Sequence, residues 1–262
     1  MNIRIAALIV AIVVCPGALH GQSGFSKGEK RMGEKKMGKA GAEDNPDAIS
    51  PSGLRPVYPG EVRCPEISSP YGSRTRYDGS SRPAWAPGGG YHGGIDISLP
   101  EDVPLLALAA GTVAAKGEGG MLEGIYLWLK HAPEDTGLSY WVFSKYQHLL
   151  VPPDLEVGAR VALGQVVARS GKTGTVGGKH YGMAGYPHLH LTTRKGARGD
   201  ETITQGALFD PLAVYHDAGA KTRGPAEPAL PEGAVPIPYV TPDGKIAAAG
   251  TRVVWPVACQ PK

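Results

Sequence analysis

The sequence predicts an all-β fold: an antiparallel, sandwich-like β-sheet domain with glycine-rich hairpins. Three observations carry this. From Cys64 onward, short apolar runs rich in β-branched and aromatic residues alternate with glycine turns. No segment keeps a long helical period. Glycine (38) and proline (24) are abundant, yet hydrophobic residues make up 42% of the 262 residues. That composition suits a core threaded by tight turns better than a wholly disordered chain.

The first stretch is not part of that domain. Met1-Asn2-Ile3-Arg4 places one positive charge before an apolar run over 5–14, the pattern of a secretory signal. The run is too short for a membrane span, which needs about 20 residues. Pro16 and Gly17 end it, and Gly21 offers a cleavage point before Gln22. Residues 1–21 are therefore expected to be a signal peptide, and the protein to be exported, periplasmic or secreted. Cys15 raises lipid anchoring as a lesser alternative, because a lipoprotein signal wants a small residue where Val14 stands.

Residues 22–60 read as a disordered basic linker, too poor in apolar residues to offset the entropy of ordering. Within 27–39, Lys27, Lys30, Arg31, Lys35, Lys36 and Lys39 stand against Glu29 and Glu34. The formal net charge of +3 thus belongs to this tail. A nucleic-acid-binding domain carries its excess on a folded face, so no nucleic-acid partner is expected. A weak contact of 27–39 with a membrane or with anionic wall polymers is.

The domain itself is placed at 61–217, with strands expected over 95–99, 103–109, 112–115, 124–130, 140–149, 160–163, 166–169 and 189–193. Gly111, Gly158, Gly164, Gly171 and Gly174 mark turns. Residues 218–262 are a Pro/Ala-rich connection that returns through a strand-like end at 252–257. Once the signal is removed, Cys64 and Cys259 remain, and an even pair in an exported protein suggests a disulfide. Their flanks look alike, as two neighbouring short strands would. Neither cysteine has a partner at zinc-finger spacing.

Two short motifs carry chemistry. His92-Gly93-Gly94-Ile95-Asp96 is H-x-G-x-D, and Pro187-His188-Leu189-His190-Leu191 contains H-x-H. Alternate side chains of a strand share a face, so His188 and His190 point the same way. His92 and Asp96 are an even number apart and can converge, with the glycines letting the backbone bend. Two imidazoles and one carboxylate make a catalytic zinc set with a fourth position open for water. Tyr146-Gln147-His148-Leu149 adds a further histidine at a strand end.

Together these residues resemble the LytM/lysostaphin-type zinc metallopeptidases, the peptidoglycan endopeptidases, over about 69–215. Supporting segments occur in the family's order: Ser69-Pro70-Tyr71-Gly72-Ser73-Arg74, Ala110-Gly111-Thr112-Val113, Gly171-Lys172-Thr173-Gly174 and Phe209-Asp210-Pro211. The resemblance implies one Zn2+ per domain, held by His92, Asp96 and His190, with His148 and His188 serving catalysis. It implies peptidoglycan as substrate, and a monomer is expected. Two segments depart from the family by their length, 75–91 and the stretch between Gly174 and His188. They are expected to border the cleft, with Arg74, Tyr77, His180 and Tyr181 as substrate-binding candidates. His131 and His216 read as surface residues. Two other classes stand beside the enzyme: a non-catalytic wall-binding or amidase-regulating protein on the same fold, and a copper/zinc redox protein, which would need more histidines near one another.

Overall fold

The computed structural model describes residues 49–85, 88–175, 185–222 and 230–262. The expected signal peptide, the basic segment 27–39, and His180 and Tyr181 lie outside the described residues. The chain opens with three short strands, β1 (Arg55–Val57), β2 (Val62–Arg63) and β3 (Ile67–Ser69). Then come β4 (Ile95–Ser98), β5 (Pro104–Leu106), β6 (Gly111–Glu118) and β7 (Ile125–His131). One helical turn, α1 (Pro133–Thr136), leads to β8 (Trp141–Gln147), β9 (Arg160–Val161), β10 (Val166–Arg169), β11 (His188–Gly196) and β12 (Ala207–Phe209). Helix α2 (Pro211–Thr222) and strands β13 (Ala234–Pro236) and β14 (Gln260–Pro261) complete it.

The main sheet has eight strands in the order β3-β4-β11-β8-β7-β6-β9, with β12 also paired to β11. Every pairing in it is antiparallel. The alternation that predicted strands also decides its two faces. In β7, Ile125, Leu127, Leu129 and His131 are buried while Tyr126, Trp128 and Lys130 between them are only half-buried. The ladder of β5 and β10 covers the apolar face. Buried Tyr146, on β8, ties the two layers: its hydroxyl accepts from the Leu108 N–H at 2.9 Å and donates to the Leu106 carbonyl at 2.9 Å. The opposite face is left for the site.

The expected antiparallel β core is present, and all eight expected strand segments contain strands. The longest element that was not expected is a helix. Helix α2 begins where Asp210 accepts the Leu212 N–H at 2.9 Å, with Pro211 at the first helical position. The Asp-Pro start is a helix signal in the sequence, but a twelve-residue helix with small residues at its end shows little periodicity. It buries Leu212, Val214, Tyr215 and Ala218.

The strand-like 252–257 segment also differs from expectation. Val253, Val254 and Trp255 are buried, but their backbone bonds go to loops, Val254 N–H to the Leu108 carbonyl and Trp255 N–H to the Pro238 carbonyl. The segment fills the core without joining a ladder. The strand lies beyond it, where β14 pairs with β2. Beside that pair, Cys64 and Cys259 are joined by a disulfide across a sequence separation of 195. β1 runs parallel to β13, so both ends of the described chain are held on the domain. Residues 49–57, within the stretch read as linker, therefore take part in the fold. His131 is fully buried, not on the surface. It occupies an inward position of β7, between the Ala110 carbonyl (Nδ1, 2.7 Å) and the Ser144 hydroxyl (Nε2, 2.8 Å). His216, in contrast, is exposed.

Candidate metal centre

The register of β4 against β11 sets Asp96 directly opposite His190. Opposed residues of an antiparallel pair share a face at about 5 Å, so carboxylate and imidazole meet. Asp96 Oδ1 lies 2.8 Å from His190 Nδ1 and 3.1 Å from His92 Nε2. The two ring nitrogens are themselves 3.0 Å apart. His92 precedes β4, fixed where its N–H donates to the Ser73 carbonyl at 3.0 Å and its carbonyl accepts from the Gly72 N–H at 2.8 Å.

Outer partners decide which nitrogen of each ring faces inward. His92 Nδ1 is 3.0 Å from the Pro70 carbonyl. It donates there, leaving the Nε2 lone pair inward. His190 Nε2 is 3.0 Å from Thr192 Oγ1. It donates there, leaving the Nδ1 lone pair inward. Two imidazole lone pairs and one carboxylate oxygen thus converge, all within 4.8 Å of one another. Facing acceptors repel unless a cation sits among them, and this donor set suits a divalent metal. These three residues can hold a metal ion.

Gly94 makes the approach possible. A Cβ there would run into the Leu191 carbonyl and come to 3.0 Å from His190 Nε2. The glycine of H-x-G-x-D is needed for close contact between β4 and β11, whereas the sequence suggested a bend.

His148 and His188 flank the group. His148 directly follows β8 in the left-handed conformation, φ 63°, which residues other than glycine seldom adopt. Its Nδ1 lies 2.8 Å from the Thr173 carbonyl. His188 Nδ1 lies 2.9 Å from the Tyr186 carbonyl, and its Nε2 is 3.6 Å from Asp96 Oδ1. The two rings are 4.6 Å apart. Each donates Nδ1–H to a backbone carbonyl, so each offers a bare Nε2.

Burial dominates the electrostatics. It pushes the His148 imidazole down to about 3, helped by His188 and His190. Burial also lowers His190 to about 4, against the opposing pull of Asp96. His188 is lowered by burial, again opposed by Asp96. For Asp96 burial acts in the raising direction, but His92, His190 and His188 outweigh it and hold the carboxyl well below its usual range. A neutral His190 imidazole and a charged Asp96 carboxylate are the states a metal requires of its ligands.

The site opens into a cleft of about 930 Å³. Its floor is the polar face of the sheet, with Trp128, Lys145, Gln147, Thr192 and Arg194. One wall is the 75–91 segment, through Arg76, Arg82 and Tyr91. Of the expected substrate residues, Arg74 packs over the Tyr91 ring at 4.7 Å and does not line the cleft. Tyr77 does not line the cleft either; its ring meets Tyr186 tilted at 45°, 3.7 Å between centroids, and Tyr186 stacks on His188 at 4.3 Å and 14°. Among the cleft residues not singled out from the sequence are Arg82, Tyr186 and Lys145. Tyr186 had a signal, two positions before His188 on the alternating face. Lys145 had one in its even spacing from Gln147. Arg82 had none.

The antiparallel sheet thus presents two histidines and an aspartate that can hold a metal ion to a cleft, flanked by two more histidines. Residues 90–204 match the model of Peptidase family M23 and include all five of these side chains. The resemblance to the LytM/lysostaphin-type peptidases read from the motifs holds over these residues. Among solved structures, the catalytic domain of the antimicrobial peptidase lysostaphin from Staphylococcus simulans is 23% identical. It matches over 50% of this chain and 83% of its own, with TM-score 0.37. LytU is 24% identical over 61% of this chain and 90% of its own, TM-score 0.41. A putative glycyl-glycine endopeptidase from Ruminococcus gnavus is 23% identical over 48% and 47%, TM-score 0.33.

Proposed function

We propose that the protein is a zinc-dependent endopeptidase that hydrolyses peptide cross-links or stem peptides of bacterial peptidoglycan. The observation that carries this is the convergence of His92 Nε2, His190 Nδ1 and Asp96 Oδ1 within the residues that match family M23. Zn2+ is the fitting ion because two imidazoles and one carboxylate are its usual catalytic set. When bound, it supplies Lewis acidity and makes water a nucleophile near neutral pH.

The chain's own residues would do the rest. His188 and His148 each present an unprotonated Nε2 toward the cleft, so either is set to take the proton of an attacking water. With the rings 4.6 Å apart, two positive charges would repel, and the pair carries one proton at a time. The imidazolium so formed donates to the developing oxyanion and then to the leaving amine. Tyr186, stacked on His188, keeps that ring in plane. The non-catalytic alternative has no observation in its favour, since all five side chains are in place. Export through residues 1–21 and adhesion through 27–39 would bring this site to the wall.

The test is incubation of the mature protein with purified peptidoglycan, with and without chelator, followed by mass analysis of released muropeptides. Metal content is measured on the same preparation. One zinc per chain, chelator-sensitive release of peptide fragments, and loss of both in His190→Ala are expected. Stoichiometric zinc in His190→Ala would overturn the ligand assignment. Intact cross-links after digestion with zinc-loaded protein would overturn the activity.

A further inference from the structure

Behind the three candidate ligands stands an arginine from a different part of the chain. Arg82 Nη2 is 3.3 Å from Asp96 Oδ2, the oxygen that does not face the histidines. The same nitrogen is 3.0 Å from Ser69 Oγ. Ser69 is buried, and its hydroxyl lies 3.3 Å from His92 Nδ1. One guanidinium nitrogen therefore backs both Asp96 and, through Ser69, His92.

The delivery of this arginine is built. Residues 74–82 form a hairpin-like loop, closed by Arg82 N–H to the Arg74 carbonyl at 2.9 Å and Arg76 N–H to the Ser80 carbonyl at 2.8 Å. Thr75 and Ser81 bridge across it. Its turn is made by Asp78, which accepts the Ser80 N–H at 2.9 Å, and by Gly79 at φ 78°. The Arg82 guanidinium is mostly buried, and its Nε is enclosed without a hydrogen-bond partner. Leaving a buried donor unpaired is unfavourable, and such groups in folded proteins usually serve something other than stability.

We propose that Arg82 is a positioning residue for the metal centre. By engaging Oδ2 of Asp96 it leaves only Oδ1 to be presented beside His92 Nε2 and His190 Nδ1. A carboxylate free of that contact can offer both oxygens to a metal and occupy a position that water needs. By donating to Ser69 it also fixes the hydroxyl beside His92. The 75–91 segment, which departs from the family in length, thereby becomes part of the metal site as well as a wall of the cleft. This rests on the metallopeptidase reading, but concerns residues that bear on the metal itself.

The test is Arg82→Gln in the full exported chain, read first by metal binding. Metal-free wild type and variant are titrated with Zn2+ against a competing chromophoric chelator. Supporting contacts behind a ligand are typically worth about 10- to 100-fold in metal affinity, and a loss of that size is expected. Substituted with Co2+, the variant should show a weaker visible band, as a carboxylate binding through both oxygens raises the coordination number. Turnover of peptidoglycan should fall with KM nearly unchanged. Unchanged zinc affinity together with an unchanged Co2+ spectrum would overturn the proposal. A fall only in the unfolding temperature of the metal-free protein would overturn it too, leaving a structural role. If the glutamine variant does not fold, Arg82→Lys keeps the charge but cannot span Asp96 and Ser69. Parental affinity and spectrum in that variant would likewise overturn it. Wild-type protein that takes up no zinc would instead remove the metallopeptidase reading beneath it.

Discussion

Replacing Cys64 and Cys259 together by alanine should lower thermal stability sharply while leaving metal binding at 25 °C in place. The bond closes a loop of 195 residues. In the chain-entropy model that constraint removes about 5 kcal/mol of freedom from the unfolded state. For a folded unit of this size, each kcal/mol moves Tm by about 2–4 °C, so a fall of about 10–20 °C is expected. The native contacts beside the bond, such as the two residue pairs of β2 and β14 and the Trp255 indole donating to the Pro65 carbonyl at 2.9 Å, act in the folded state. They cannot substitute for a covalent link in the unfolded chain. The assay is calorimetric unfolding of both proteins in chelator, because a bound metal would stabilise either one by mass action. The site should survive at 25 °C because β4 and β11 are joined by four residue pairs of their own. A fall in Tm below about 4 °C would refute the reasoning. It would mean that the unfolded chain is held compact without the bond.

Three further outcomes are expected. His188→Gln should retain zinc yet lose about 10²–10⁴-fold in turnover, the usual worth of a general base, measured by muropeptide release beside metal analysis; a loss of zinc would make His188 a ligand. Gly94→Ala should abolish stoichiometric zinc and destabilise the domain by about 1–3 kcal/mol, because the new methyl meets backbone that cannot yield; denaturant unfolding and metal content check it, and a parental result would show that β4 and β11 can separate freely. For His131, burial lowers the imidazole to about 4, against about 6.5 when unfolded. The unfolded chain then binds the proton first, so stability is lost as pH falls from about 6.5 to about 4, by about 3 kcal/mol at the lower end. Urea unfolding of metal-free wild type and His131→Gln across that range should show a correspondingly flatter pH dependence in the variant, and identical slopes would show that His131 titrates normally.

Short-range order was legible wherever a local rule governs it. The eight strand segments could be read because inward and outward side chains alternate with period two, and β7 shows that alternation in full. The H-x-H pair was legible for the same reason. Helix α2 was announced by Asp210 and Pro211, but its content of small and polar residues gave no period to confirm it. His131 was misplaced because a histidine reads as polar, while the alternation of β7, followed strictly, puts it inside.

What the sequence by itself determined is therefore the set of parts: the strands, the five site residues that their spacing groups in two motifs and a strand end, and the pair of cysteines. Only the tertiary structure decided how they meet. The pairing of β4 with β11 sets Asp96 opposite His190, and that register depends on contacts between residues about 94 apart in the chain. The left-handed turn at His148 brings the fifth side chain in, against its intrinsic preference. The bond from Arg82 to Asp96 has no trace in local pattern, since an arginine in a loop looks the same whether it faces water or a carboxylate. Periodicity is a property of neighbours along the chain, whereas register, close approach and partner choice are set by the free energy of the whole fold.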